Sequence, residues 1–208
     1  MNKLNQVKIE ILEDFLSCKF QNLDQLLLQF SGIYMTDKSF ASFCAGLANC
    51  MNLVNLEMNL GANQISDEGL LNICIALGNL EGLQTLSIHL YSNKIGENGL
   101  QYLSSTLKHL QNLQNLNVSL SENKIADKAT VEFGYSLSSC IKLQILKVSL
   151  GRNQIQNQAA LSFCQYISML SSLKYLSLNF QFNNVYNLTQ LNRVLKKSLR
   201  LAILNTQI

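Results

Sequence analysis

Apolar residues recur every thirty positions along most of the chain. Five such columns begin at Leu53, Leu56, Met58, Leu60 and Ile65, and an apolar residue fills each of their positions through residue 185. A fixed period of this length is the sequence signature of a repeat protein, in which one supersecondary unit is copied along an array. A sixth column consists of asparagine alone, with members Asn63, Asn93, Asn123, Asn153 and Asn183.

Within each repeat the spacing of apolar residues changes from two to about three and a half. The segment NLNVSL at 115–120 alternates polar and apolar residues, which predicts a strand with one buried face. Leu100 and Leu107 belong to a stripe of helical spacing, which predicts an amphipathic helix. Acidic residues such as Asp67 and Glu97 fall where these helices begin and suit the dipole of the helix N-terminus. Each repeat is therefore predicted to be one strand followed by one helix.

The frame L-x-x-L-x-L-x-L-x-x-N-x-I, followed by a helical half, resembles the leucine-rich repeat family. It is most similar to the strand-plus-helix type of the ribonuclease-inhibitor-like subfamily. The resemblance implies an α/β solenoid, a curved right-handed βα superhelix with a parallel sheet on the concave face and helices on the convex face. It also implies that the asparagine side chain lies inside the turn after each strand and bonds to the backbone of adjacent coils.

The repeat frame predicts a single leucine-rich repeat domain over residues 1–208. Repeats start near 23, 53, 83, 113, 143 and 173, and the first of them has Ile33 in place of the asparagine. The apolar residues of 1–20 ignore the thirty-residue register, so we predict a helix there that caps the first coil. Residues 188–208 are predicted to form a last helix and an incomplete last strand.

Composition narrows the classes of partner. Hydrophobic residues make up 48% of the chain and charged residues 14%, and the net charge of +3 is scattered along it. No basic run is long enough to create a strong field for phosphates, so nucleic acid is not indicated. The start of the chain, MNKLNQVKIEILEDF, has neither a signal peptide's apolar core nor a membrane span. We therefore expect a cytoplasmic protein in a reducing compartment.

The six cysteines follow the repeat and not a disulfide framework. Cys44, Cys74 and Cys164 share one helical position, while Cys50 and Cys140 share another, as small core residues do. No C-x-x-C motif occurs, and the two histidines fall in different columns. We predict reduced thiols with a structural role, no metal site, no cofactor and no small-molecule substrate. No motif for nucleophilic catalysis or phosphate binding is visible, so the chain is predicted not to be an enzyme.

Partner recognition is expected in the columns that vary, because the constant columns serve the fold. On the predicted concave face these are the strand positions that face away from the core and the positions at the strand ends. Tyrosine, arginine and phenylalanine among them are the residue types often found as interface anchors. The alternative is a solvated sheet face without a partner. The candidate residues are Glu57, Asn59, His89, Tyr91, Asn117, Glu122, Lys147, Arg152, Tyr175 and Phe182.

The leading functional hypothesis is a non-catalytic scaffold for protein partners, acting as a subunit or adaptor of a larger assembly. A second hypothesis is a GTPase-activating regulator, because one branch of the resembling family uses an arginine in a loop beside the strand ends, and Arg152 lies in such a loop. A third is an RNA-contacting subunit of a ribonucleoprotein, which the mild positive charge and the tyrosines favour.

Overall fold

The computed structural model describes residues 6–10, 12–17, 23–34, 37–198 and 203–208, in which strands and helices alternate. The strands are β1 (Gln6–Ile9), β2 (Gln25–Gln29), β3 (Asn55–Asn59), β4 (Thr85–His89), β5 (Asn115–Ser119), β6 (Ile145–Ser149), β7 (Tyr175–Asn179) and β8 (Ile203–Gln207). The helices are α1 (Leu12–Ser17), α2 (Asp37–Ala48), α3 (Asp67–Gly78), α4 (Glu97–His109), α5 (Asp127–Leu137), α6 (Asn157–Ile167) and α7 (Leu188–Ser198).

The eight strands form one parallel sheet in which spatial order follows chain order. From β2 to β7 the pairing keeps the thirty-residue register, so that Leu86 pairs with Leu116 and Leu116 with Leu146. Every inward column is consequently a continuous row of apolar side chains. Leu86, Ile88 and Leu90 are completely buried, as the alternation predicts. The predicted strands and their inward face are confirmed.

Adjacent helices pack against one another along a single side of this sheet, α3 against α4 and α4 against α5. Strands in a sheet lie about 4.8 Å apart, whereas packed helices need about 8–10 Å between their axes. The array therefore curves, with strands on the concave face and helices on the convex face. This is the α/β leucine-rich repeat solenoid that the repeat frame predicts.

The two ends of the array differ from the prediction. The predicted helix over 1–20 is wrong at its start, because residues 6–9 form β1, which pairs in parallel with β2. The short helix α1 follows, and residues 1–5 and 18–20 lie outside the described residues. At the other end β8 has five residues and pairs with β7 along its whole length, so it is a complete strand. The backbone groups of β2 and β7 acquire partners in this way, which a pattern of side chains does not reveal.

The first coil is closed by aromatic packing. Phe15 of α1 is 1% exposed, and its ring centre lies 5.2 Å from that of Phe43 and 6.4 Å from that of Phe30. Phe30 and Phe43 meet edge to face at 5.7 Å. Aromatic pairs in such tilted and edge-on arrangements are favourable beyond the apolar area they bury. Phe15 of α1 therefore covers the phenylalanines of the first repeat.

The described cysteines lie in the core. Cys44, Cys50, Cys74, Cys140 and Cys164 are buried and free, whereas Cys18 falls outside the described residues. Burial away from water disfavours the thiolate and raises the pKa of Cys164 to about 12 and that of Cys140 to about 11. These thiols act as small apolar side chains, as their place in the repeat predicts.

Candidate partner-binding face

A ladder of asparagines fixes the turn after each strand. The Nδ2 group of Asn123 donates to the carbonyl oxygens of Leu90 (2.9 Å) and Leu120 (3.1 Å), while its Oδ1 accepts from the amide of Ile95 (2.9 Å). One side chain thus joins two successive repeats and satisfies backbone groups that no strand or helix pairs. The role predicted from the resemblance is confirmed. The same pairs of donor bonds come from Asn63, Asn93, Asn153 and Asn183.

The residue directly before each asparagine has a left-handed backbone. Its φ lies between 52° and 59°, and the equivalent Gly32 of the first turn has a φ of 69°. Up to Arg152 the amide at this position continues the parallel ladder: Arg152 N donates to the carbonyl of Gln181 at 2.7 Å. Glycine adopts this conformation without strain, whereas other residues incur about 1–2 kcal/mol. Only the first of the six turns has glycine here. The column reads Gly32, Ala62, Ser92, Glu122, Arg152 and Phe182.

Four members of this column form a connected row along the rim of the sheet, which we call the rim row: Ser92, Glu122, Arg152 and Phe182. Ser92 Oγ donates to Glu122 Oε2 at 2.7 Å, and Glu122 Oε1 lies 3.5 Å from Arg152 Nε. The Arg152 guanidinium carbon lies 4.5 Å from the centre of the Phe182 ring. The Phe182 side chain remains 71% exposed. The rim row is therefore ordered by its own contacts while facing solvent.

A second contact between a cation and an aromatic ring lies on the strands. Lys147 of β6 places its Nζ 5.5 Å from the ring centre of Tyr175, at the start of β7. Lys147 is exposed and Tyr175 is half-buried. This pair joins the same two repeats as Arg152 and Phe182, but it lies on the strands themselves, whereas Arg152 and Phe182 lie in the turns after them.

The centre of the concave face is a network of neutral polar groups. Asn117 Nδ2 donates to Ser87 Oγ at 3.0 Å, and Ser87 Oγ lies 3.2 Å from His89 Nε2. In the neighbouring repeat Asn59 Oδ1 accepts from the amide of Gly61 at 3.2 Å, which stabilises the end of β3. Glu57 is exposed beside Ser87 in the strand register. Among these residues Glu57 presents a charge, while the others bond to their neighbours.

Tyr91 packs as part of the fold. Its ring lies over Gly61 so closely that a Cβ atom at Gly61 would come within 2.3 Å of the tyrosine Cζ. Its hydroxyl lies 3.1 Å from Ser31 Oγ, so one side chain spans three repeats. The structure thus separates Tyr91 from the other predicted anchors. Arg152 and Phe182 are in contact, Lys147 and Tyr175 are in contact, and Tyr91 lies at the N-terminal half of the array.

A further ladder on the helix side was not anticipated from the sequence. Glu97, in the first turn of α4, accepts the amides of Ala126 (2.8 Å) and Ala129 (3.1 Å), which form the N-terminus of α5. Asp67 accepts the amide of Gly96 before α4, and Asp127 accepts the amide of Gln156 before α6. A carboxylate of one repeat thereby caps the helix of the next.

The signal for this second ladder was present but ambiguous. Acidic residues at helix starts were predicted to act on their own helix dipole. The residues at the N-cap positions, however, are Gly96, Ala126 and Gln156, none of which makes a side-chain cap hydrogen bond. Poor N-cap residues beside a regular acidic column indicate that the cap comes from elsewhere.

Neither a metal centre nor a membrane span is found in the described residues. No three His, Cys, Asp or Glu side chains among them are grouped so that they could hold a metal ion. None of the helices in the described ranges combines the length and apolarity needed to cross a bilayer.

No protein-family model and no curated protein matches this chain. Among solved structures it is similar to an internalin C2 of Listeria monocytogenes, with 17% identity, a TM-score of 0.41 and coverage of 83% of this chain and 84% of that one. It is also similar to an internalin of the same species, with 18% identity, a TM-score of 0.42 and coverage of 89% and 54%. A leucine-rich repeat protein of Leptospira interrogans has 15% identity, a TM-score of 0.35 and coverage of 88% and 67%.

A likeness at these values assigns no function to this chain. The leucine-rich repeat architecture follows from the chain itself, since its strands keep the thirty-residue register and its asparagines bond from repeat to repeat.

Proposed function

We propose that this chain is a non-catalytic scaffold that binds a protein partner on its concave face, as a subunit or adaptor of a larger assembly. The observation that carries the proposal is the outward column of the sheet. Its members lie side by side in the strand register, and each has a different chemistry from its neighbours although the fold requires none of them. The column reads Glu57, Ser87, Asn117, Lys147 and Ser177.

The rigidity of the array supports this function. Both ladders tie each repeat to the next through side chains, one at the strand end and one at the helix start. A surface that is ordered before binding loses less conformational entropy when the partner arrives. The concave face therefore presents its side chains in fixed relative positions, as a scaffold requires.

The shape of the concave face also favours a macromolecular partner. The cleft between β2 and β4, beside Glu57 and Ser87, has a volume of about 120 Å³. Sites for small molecules usually enclose about 300–1,000 Å³ and bury most of the ligand. A partner on this face would be bound across many strands and not inside a cavity.

As part of the same proposal we place the scaffold in the cytoplasm. The described cysteines are buried as core residues and form no disulfides among themselves. This use of cysteine is typical of proteins in a reducing compartment.

Affinity purification of the tagged chain from its native source tests the proposal. We expect a protein to co-purify in stoichiometric amount and to be lost with Asn117→Arg, which adds a bulky charge at the centre of the concave face. Ser105→Arg is the matched control, because Ser105 is exposed on the convex helix α4. Recovery of a free monomer alone, or of a partner that Asn117→Arg does not release, would contradict the proposal.

A further inference from the structure

Two contacts between a cation and an aromatic ring join the same pair of neighbouring repeats. In each contact the cation comes from the repeat of β6 and the ring from the repeat of β7: Lys147 with Tyr175, and Arg152 with Phe182. The rings hold the cations in place without neutralising them. Lys147 therefore keeps its charge available to a binding partner, whereas Arg152 shares its charge with Glu122 on the Nε side and keeps its Nη side available.

The guanidinium of Arg152 has one unoccupied edge. Its Nε side faces Glu122 at 3.5 Å, and its plane lies against Phe182. In the part of the chain that the structure describes, neither Nη atom of Arg152 donates a hydrogen bond. A carboxylate can accept two parallel hydrogen bonds from such an edge, which is the geometry that arginine provides and lysine does not.

The fold requires a left-handed backbone at Arg152 and Phe182, as in every turn of the array, but it does not require a large side chain there. Their φ angles are 52° and 59°, and Gly32 occupies the equivalent position of the first repeat. Large side chains held in the left-handed region occur preferentially at functional sites, where the surrounding structure maintains them. A phenylalanine in this conformation with 71% of its side chain exposed contributes little burial to the core.

The charges of the concave face are unevenly distributed along the array. The N-terminal half carries Glu57 and Lys8, the latter paired with Glu10. The C-terminal half carries Lys147 and Arg152, with Glu122 beside Arg152. Within the described residues Lys147 has no carboxylate within ion-pair distance. The N-terminal half therefore opposes an acidic ligand and the C-terminal half attracts one.

We propose that the concave face at β6 and β7 binds an acidic protein segment that carries an apolar side chain. One carboxylate of the segment pairs with Lys147, another accepts from the free edge of Arg152, and the apolar side chain covers the exposed ring of Phe182. Strands rise about 3.3 Å per residue, so an extended segment of about five residues spans the distance from Lys147 to Arg152. This inference rests on the proposed function and specifies its partner and its place.

Fluorescence anisotropy with defined synthetic peptides tests the inference. The probes are a labelled peptide alternating glutamate and leucine, the lysine and leucine counterpart, and a glutamate and serine counterpart that lacks apolar side chains. We expect the glutamate and leucine peptide to bind best and its affinity to fall as salt is added. Arg152→Glu should weaken it about tenfold or more, Phe182→Ala about threefold, and Arg152→Lys by an intermediate factor.

Lys128→Glu provides the matched control, because it makes the same charge reversal at an exposed position of the convex helix α5. It should leave the affinity unchanged, and circular dichroism should show every variant folded. Equal affinity for wild type and Arg152→Glu, preference for the lysine peptide, or no binding by any peptide would each overturn the inference.

The experiments distinguish failure of the scaffold proposal from failure of the acidic-segment inference. A co-purifying partner that Asn117→Arg releases but Arg152→Glu does not would leave the scaffold in place and remove the acidic segment from β6 and β7. A partner insensitive to both changes would remove both proposals.

Discussion

Two adjacent positions in every turn place their side chains in opposite directions. Asn123 lies inside its turn and bonds to the backbone of two repeats, whereas Glu122, the residue directly before it, lies outside and is exposed. The asparagine column never changes from Asn63 to Asn183, while the column before it passes from alanine through serine and glutamate to arginine and phenylalanine. One local backbone conformation produces both columns.

The difference shows how this solenoid separates folding from recognition. The left-handed residue turns the chain so that the next side chain points into the array and can bond to the carbonyls there. Its own side chain consequently points outward, where no element of the fold packs on it. The fold therefore leaves the side chain at this position of each repeat unconstrained. Residues other than glycine are strained there because of the left-handed backbone.

Asn123→Ala should have the largest effect on stability. It removes the partners of the Leu90, Leu120 and Ile95 backbone groups, and each buried group left unpaired costs about 1–3 kcal/mol. We expect the free energy of unfolding in urea to fall by about 3 kcal/mol. Lys124→Ala, at the next and exposed position, should change it by less than about 0.5 kcal/mol. Similar losses of stability for the two variants would show that the hydrogen bonds of Asn123 contribute no more than an exposed side chain.

Glu97→Ala tests whether the helix side carries a second structural column. The change leaves the amides of Ala126 and Ala129 without their carboxylate, and loss of a helix cap typically costs about 1 kcal/mol. We expect a loss of about 1–2 kcal/mol, because two amides are affected. Glu68→Ala is the control, since Glu68 is an exposed acid in the first turn of α3. An equal loss for Glu68→Ala would mean that only the helix dipole is at work.

The sequence predicted the inner columns because their chemistry is repeated. Leucines every thirty residues and an unbroken column of asparagine admit few other structures, and Ile88 and Asn123 lie where the pattern places them. The ends were less predictable, because β1 and β8 are held by backbone pairing with β2 and β7 and do not share the repeat frame. Backbone hydrogen bonds of an edge strand leave no period in the side chains.

The candidate site was predictable as a list of positions but not as a set of contacts. The contact of Arg152 with Phe182 depends on the left-handed backbone of both residues. Arginine and phenylalanine are not residue types that predict this conformation. Tyr91 was predicted as an anchor with them, yet its ring packs over Gly61, where the absence of a side chain leaves room for it. Such pairings are set by neighbours thirty residues away, and a single motif does not contain them.

At the left-handed position before the asparagine, a glycine variant should be more stable than an alanine variant, which is the reverse of the order found in helices. We expect Phe182→Gly to be more stable than Phe182→Ala by about 0.5–1 kcal/mol, because both lose the ring and only glycine relieves the left-handed backbone. At Lys128, in the helix α5, alanine should be better than glycine by about 1 kcal/mol. The comparison is made by urea unfolding of the four variants. The same sign at both positions would show that the strain inferred at Phe182 is absent.

The smallest expected effect on stability concerns Cys164, a core residue that is completely buried. Burial raises the pKa of its thiol from 9.0 to about 12, so the folded chain keeps this proton at a pH where the unfolded chain releases it. The stability that this provides is fully present below about pH 9 and is lost as the pH rises towards 12. At pH 9 half of the unfolded thiols are ionised, which amounts to about 0.4 kcal/mol for one group. Cys164→Ala should therefore lose less stability between pH 7 and pH 9 than the wild type, by about that amount. Ser105→Ala, which removes no titrating group, should follow the wild type, and parallel curves for all three proteins would mean that Cys164 is reached by water.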